Sequence, residues 1–491
     1  MNAPMTKSHR THLIIAALVA GIDGNLLLRG GQWRAGFAVW IAALALTVLI
    51  IGGRESRGRM LMLAGVTAAA AGLAIRDSEM LYAIDMLSVL CMGALLIWQG
   101  TVRSVRDLTL VQTVRAGAIA AINTVAGAPG VLARSDTDDA GSGPVRGTIR
   151  ALTVGVAIAA VPLFIVTSLL SASDIVFSRM LDGVFSTVVT DGISHLLVSA
   201  LLAWISVGWF RASLGHPTGN AVPDPQSPRL PFITLSVVLY ALPVLLLAFV
   251  ITQARVLFGG AEFLRATAKL SVANYAREGF FQLIAASGVV LVTLVMAEWL
   301  LADDDVYARR HFRMVSAALL ALVALLLLSS AARIVLYMNE FGLSIDRAFA
   351  SAAIVWVSGV LVAFATTTLR GNPTRFMRAA ILVTVAWVTV MNVINPEAQV
   401  VRVNVARAEA GNTFDANYHA SLSADALPLL LDLAPRLTAT ECVTLQKALR
   451  ERWALRLADP EEGLGDWRSA NLPLVGARAW FAAARAPACA P

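Results

Sequence analysis

Long, nearly uninterrupted apolar runs constrain this chain more than any other feature; FFQLIAASGVVLVTLVM, residues 280–296, is representative. A helix needs about 20 predominantly apolar residues to cross about 30 Å of hydrocarbon, because inside lipid every backbone N–H and C=O has to be satisfied within the segment. Eleven stretches meet or approach that length: residues 12–29, 33–51, 60–75, 80–98, 150–171, 192–210, 231–252, 278–300, 314–338, 348–368 and 376–394. The first holds GIDGN, with Asp23 and Asn25, and the third is the short, alanine-rich MLMLAGVTAAAAGLAI, so ten spans is the alternative count. The basic patch and apolar stretch ending in LVAG near the N-terminus also fit a cleaved signal peptide.

Composition agrees with the runs. The chain is 57% hydrophobic and 14% charged, whereas soluble domains carry roughly 25% charged residues. The expected fold is all-α: a polytopic transmembrane helical bundle with a small, soluble, helical C-terminal domain. Residues 1–98 supply spans 1–4, residues 99–149 a cytoplasmic loop, residues 150–394 spans 5–11 and residues 395–491 the C-terminal domain. Within the loop, AGAIAAINTVAGAPGV is interrupted by Asn123 and Pro129, which favours an interfacial helix over a span. ARSDTDDAGSGPVRG follows as a flexible linker.

Basic residues set orientation, since Lys- and Arg-rich loops are retained in the cytoplasm. With eleven spans and a cytoplasmic N-terminus, 19 basic residues fall on cytoplasmic segments, 10 on short external loops and 10 in the tail. This places the C-terminal domain outside, in the periplasm or extracellular space. The net charge of +7 reflects this topology signal and the pull of anionic lipid on juxtamembrane arginines; it does not indicate a nucleic-acid partner.

The motifs of cofactor and metal chemistry do not occur: there is no phosphate-cradling glycine loop ending in Lys-Ser/Thr, no HExxH, no CxxC and no GxSxG. Ser194 and His195 in GISHLL are adjacent, so on a helix they point about 100° apart and cannot act as nucleophile and base. Asp303, Asp304 and Asp305 precede Arg309 and Arg310 and read as a solvated loop. No catalytic residue, cofactor or metal site is expected, and a non-enzymatic role is preferred.

Charges inside apolar spans are more telling, because an unpaired charge in lipid costs roughly 2.5–3.5 kcal/mol on insertion scales. Asp23, Asp85, Arg277, Glu278 and Arg333 fall in the outer third of the spans or at their outer boundary and form the candidate intramembrane polar cluster. Glu278, at the top of one span, and Arg333, about one turn inside the next, have comparable depth. Two readings stay open for them: a structural ion pair, with Arg277 snorkelling to the headgroups, or a substrate or ion site.

After residue 394 the grammar becomes that of soluble helices. Thr438 and Glu441 form a capping box, followed by Cys442, Leu445, Leu449 and Trp453 on one helical stripe. ADALPLLLDLA and VGARAWFAAARA are two further helices. Cys442 and Cys489 are the tail's only cysteines and can form a disulfide if the tail lies in an oxidising compartment.

NPEAQVVRVNVARA, FDANYHASLSADALPLLL and DWRSANL, with YAREGFFQL and YMNEFGLSIDR upstream, resemble a group of bacterial multi-pass inner-membrane proteins catalogued only as a domain of unknown function, numbered in the four-thousand-one-hundreds. The resemblance covers about residues 230–475. It implies a bacterial inner-membrane location and brings no activity with it. The expected role is therefore a secondary transporter or lipid-handling protein that uses the outer polar cluster. The alternatives are a scaffold or envelope-stress component that docks an envelope protein through residues 395–491, and a membrane-embedded enzyme acting on lipid-linked substrates. The lipid bilayer is the one partner common to all of them.

Overall fold

The computed structural model describes residues 7–29, 32–52, 57–102, 124, 191–214, 232–268, 280–301, 306–458, 466–482 and 489. The expected span at 150–171, most of the 99–149 loop, and Arg277 and Glu278 lie outside the described residues. Among the described residues there are fifteen α-helices and no β-strand. Ten are apolar: α1 (Lys7–Leu28), α2 (Ala35–Gly52), α3 (Arg57–Ile75), α4 (Glu79–Val102), α5 (Asp191–Ser213), α6 (Phe232–Ala268), α7 (Phe280–Leu300), α8 (Val306–Phe341), α9 (Ile345–Thr367) and α10 (Phe376–Ile394). Eight of these are long and apolar enough to cross a membrane, and α2 and α3 are shorter apolar helices. Five more complete the chain: α11 (Pro396–Glu409), α12 (Ala416–Ala420), α13 (Leu427–Leu433), α14 (Ala439–Ala458) and α15 (Leu472–Ala482).

The apolar helices pack in two groups. Helices α1 to α5 share one core, in which Val48, Val66, Ala70, Leu73, Leu96 and Phe210 are at most 2% exposed. Helices α6 to α9 share a second, centred on Leu239, Leu294, Leu319, Val323 and Phe364. Helix α10 joins them, giving Ile381 to the first core and Phe376 to the second. Small residues let the backbones approach, as they must in lipid, where apolar surface alone does not drive helices together. A methyl group on Gly21 of α1 would meet the Ala203 side chain of α5 at 2.6 Å.

Several helices outrun the expected spans: α4 continues to Val102, α6 to Ala268, and α8 covers Val306–Phe341. At 1.5 Å per residue the 37 residues of α6 extend roughly 55 Å. Helical hydrogen bonding does not stop where the hydrocarbon ends, so apolar length marks the membrane-crossing part and not the helix end.

One face of the bundle carries the C-terminal helices. At the start of α2, Ala35 and Gly36 N–H donate to the carbonyls of Ala470 and Arg468 at 3.3 and 2.8 Å. The α3–α4 turn, the α8–α9 turn and the end of α10 reach the same face. Helix α1 ends there, so its N-terminal start lies at the other face. On that other face Glu298, near the end of α7, pairs with Arg309 at the start of α8 (3.6 Å).

Helices α11 to α15 have their own core: Val400, Val401, Leu430, Ala434, Cys442, Leu445, Leu449, Trp453 and Leu474 are each at most 2% exposed. The Thr438–Glu441 capping box forms, with the Thr438 hydroxyl donating to the Glu441 carboxylate at 2.7 Å and Glu441 N–H donating back to Thr438 Oγ1 at 3.4 Å. Cys442 and Cys489 are joined by a disulfide with Cα atoms 5.7 Å apart. The helix expected over ADALPLLLDLA begins only at Leu427, because Pro428 has no N–H to donate to the Ala424 carbonyl and therefore falls in the first turn. Helix α15 starts at Leu472, one turn before the expected VGARAW, where the Asn471 side chain accepts Leu474 N–H at 2.9 Å.

Candidate functional site

Two polar assemblies tie the C-terminal helices to the bundle, and the first is a buried charge cluster at the α3–α4 turn. The Asp77 side chain is 0% exposed and gathers Arg34 from the head of α2 (3.0 Å) and both terminal nitrogens of Arg456 from α14 (2.8 and 3.0 Å). It also accepts the Asn471 amide (3.1 Å) and Ala424 N–H (2.8 Å). Asp425 answers from the other side, accepting the N–H groups of Asp77 (2.7 Å) and Ser78 (2.8 Å) and pairing with Arg76 (3.4 Å). Burial pushes the Asp77 carboxyl up, but Arg456, Arg34 and the Ala424 N–H together outweigh it and hold the group below its ordinary value. Burial wins at Asp425 and raises its pKa, with the neighbouring Asp77 charge adding to the effect.

Asn395 sets the angle at which the chain leaves the membrane helices. It has φ 55°, in the left-handed region that Asn tolerates better than most residues. Its side chain accepts Ala398 N–H (3.1 Å), capping α11, and donates to the Asp425 carbonyl (2.9 Å). Glu397 in the first turn of α11 accepts Ser423 N–H at 2.7 Å.

The second assembly is a half-open cleft of about 940 Å³ between the α8–α9 turn and helices α11 and α12. Asn404 of α11 clamps the turn: its Oδ1 accepts Leu343 N–H (2.8 Å) and its Nδ2 donates to the Leu343 carbonyl (2.7 Å). Gly342 has φ +75°, and a methyl group there would meet Asn404 Oδ1 at 2.5 Å, so the turn needs glycine. Tyr418 Oη accepts Ile345 N–H at 2.8 Å. Arg347 and Arg407 supply donors to the last carbonyls of α8, those of Asn339, Glu340 and Phe341, where basic side chains complement the helix C-terminus.

His419 closes the cleft floor. It stacks on Phe414 with centroids 4.2 Å apart, donates from Nδ1 to the Asp415 carbonyl (2.7 Å) and accepts the Asn404 amide at Nε2 (3.0 Å). Burial favours the neutral ring and lowers its pKa, against the opposing effect of Asp415. The cleft thus presents charges of both signs, amides and an aromatic floor at the level where the apolar helices end.

Of the residues singled out by sequence, the described ones, Asp23, Asp85 and Arg333, lie on separate helices. Asp23 is half-buried on α1, which packs on α2 and α5. Asp85 is 0% exposed on α4, and its Oδ1 accepts the Asn392 amide of α10 at 2.8 Å. Arg333 is buried on α8, eight residues before the helix end, and its neighbour Ile334 packs on α7 and α9. Sequence reading missed Arg34, Asp77, Asp425, Arg456, Asn404 and His419; the available signal was RDS, two charges inside a very short turn between apolar runs.

Eight membrane-length helices among the described residues, with apolar side chains such as Leu90, Val244 and Leu328 turned outward, define a multi-pass integral membrane protein in contact with the lipid bilayer. Residues 60–433, about three quarters of the chain, match the model of a domain of unknown function, DUF4153, and the chain belongs to that family. The resemblance seen in the sequence is thereby borne out. No curated protein and no solved structure matches the chain.

Proposed function

We propose that this protein handles lipids or lipid-linked molecules, seating the polar part of an amphiphile in the cleft between the α8–α9 turn and helices α11 and α12. The cleft carries this reading. It is large enough for a headgroup, its walls offer donors, acceptors and both signs of charge, and Phe341 on its rim is 55% exposed and packs edge-on against Tyr337 of the preceding turn of α8. The apolar part of the ligand would follow the outer surface of α8 while the polar part enters the cleft.

The cleft-bearing face is taken as the outer one, with the N-terminus cytoplasmic and residues 395–491 a C-terminal domain outside an inner membrane. The Cys442–Cys489 disulfide supports this, since such bonds persist in oxidising compartments, as does the excess of basic residues on the opposite loops. In the alternative reading the C-terminal domain is a docking platform for an envelope protein, with Leu455, Trp467 and Leu472 exposed on it.

Occlusion separates the two. Thr413 is exposed, lines the cleft and can be replaced by a bulky side chain without removing one of the clamps described above. Native mass spectrometry of purified Thr413→Trp should show loss of the lipid that wild-type protein carries. Equal lipid on both proteins would reject the cleft as the binding place and leave the docking reading.

A further inference from the structure

We propose that Asp85 binds a proton on Oδ2, closing an acid–amide ring with Asn392 at the seam between the two helical groups. Asp85 of α4 and Asn392 of α10 are 0% and 6% exposed. Half of the ring is visible: Asn392 Nδ2 donates to Asp85 Oδ1 at 2.8 Å. The other half consists of Asp85 Oδ2 and Asn392 Oδ1, both buried and both without a donor. These two oxygens converge over Gly72 of α3, where a methyl group would overlap Asp85 Oδ2 and meet Asn392 Oδ1 at 2.9 Å.

Two acceptors facing one space cannot satisfy each other, and an unpaired buried acceptor costs about 1–3 kcal/mol, more if charged. One proton removes the conflict. Placed on Asp85 Oδ2 it donates to Asn392 Oδ1, while Asn392 Nδ2 continues to donate to Asp85 Oδ1. Every side-chain polar atom of the pair then has a partner and the pair carries no charge. The proton is taken up from water and no bond other than O–H forms.

The neighbours leave this arrangement in place. From α3 comes Arg76, whose guanidinium is engaged by the carbonyls of Asn392 (2.6 Å) and Val393 (3.3 Å) and by Asp425. Helix α5 brings His195, bound to Asn25 (2.8 Å), and Arg211 near its far end. Helix α9, which joins this region through Phe349, brings Asp346 and Arg347, both lining the cleft. On α4 itself Glu79 is exposed and Tyr82 faces Arg34. Because α10 links the two cores, uptake or loss of this proton acts on the α3–α4–α10 seam. The site is independent of the cleft.

Infrared spectra of the full chain in lipid bilayers test the assignment. The wild-type protein should show a protonated-carboxyl C=O band at neutral pH that shifts in D₂O and is missing from Asp85→Asn. Asp85→Asn should fold as stably as wild type, because an amide at position 85 supplies both the donor and the acceptor of the ring. In Asn392→Leu the band should move to the position of a carbonyl freed from hydrogen bonding. An unchanged band in Asp85→Asn would mean that the band belongs to another carboxyl, a band indifferent to Asn392→Leu that the Asp85 proton does not bond Asn392, and failure of Asp85→Asn to fold that position 85 needs a charge; each would overturn the proposal.

Discussion

Asp77 and Asp425 cap each other's turns across 348 residues of sequence: Asp77 Oδ2 accepts the N–H of Ala424, next to Asp425, at 2.8 Å, and Asp425 Oδ2 accepts Asp77 N–H at 2.7 Å. Neither aspartate sits in a regular helix. Each ties down a turn whose own N–H groups would otherwise be buried without acceptors, and the pair thereby fixes the C-terminal helices on the bundle.

Removing Asp77 should be severe, since Arg34 and Arg456 would lose their shared counter-charge. Asp77→Ala is expected to cost about 3–5 kcal/mol, read from denaturation of the purified protein. Asp425→Ala should also destabilise, and the double change should cost less than the sum, because the two side chains hold one junction. Strict additivity would mean that the reciprocal caps do not form.

The pH response of the cleft follows from His419, whose pKa lies below its ordinary 6.5 because of burial. For a base with a depressed folded value, the unfolded chain binds more protons between the two pKa values, so stability rises with pH across that window. Its contribution is present above 6.5 and is lost as pH falls below it. Thermal midpoints should therefore drop more between pH of about 7.5 and about 5.5 in wild type than in His419→Gln. Equal drops would place the sensitivity elsewhere.

Asn395 should resist replacement by alanine more than by glycine. Asn395→Ala loses a helix cap worth about 1 kcal/mol and puts a side chain with no local hydrogen bond into the left-handed region at about 1–2 kcal/mol. Asn395→Gly avoids the second cost. Midpoints ordered wild type, glycine, alanine are the expected outcome of a denaturation series.

Of the three cysteines, Cys91 is the free one and is exposed on α4. Alkylation of the denatured, unreduced protein should modify one thiol per chain, and reduction should add two. By the loop-entropy relation, closing a segment of 47 residues stabilises the C-terminal helices by roughly 4 kcal/mol. Cys442→Ser with Cys489→Ser should therefore lower the stability of those helices. Three reactive thiols without reductant would exclude the bond.

Apolar run length made each membrane helix among the described residues legible, and helical spacing made the Cys442–Trp453 stripe and its cap legible. The charge cluster was not. Arg34 and Arg76 look like ordinary loop arginines of a topology signal, and Asp425 sits in SLSADA with nothing local to mark it as buried. Their partners are hundreds of residues away, and no periodicity connects the RDS turn to Asp425 or to Arg456. Asp85 was conspicuous because a charge inside an apolar run is costly, but its partner, an asparagine near a helix end in MNVINPE, has no such signature.

The cleft is tested most directly by a photo-crosslinking side chain at position 413, activated in intact membranes. A covalent lipid adduct is expected at 413 and none at Leu455, which is also exposed but is not part of the cleft wall. No lipid at 413, or equal labelling at both positions, would contradict it.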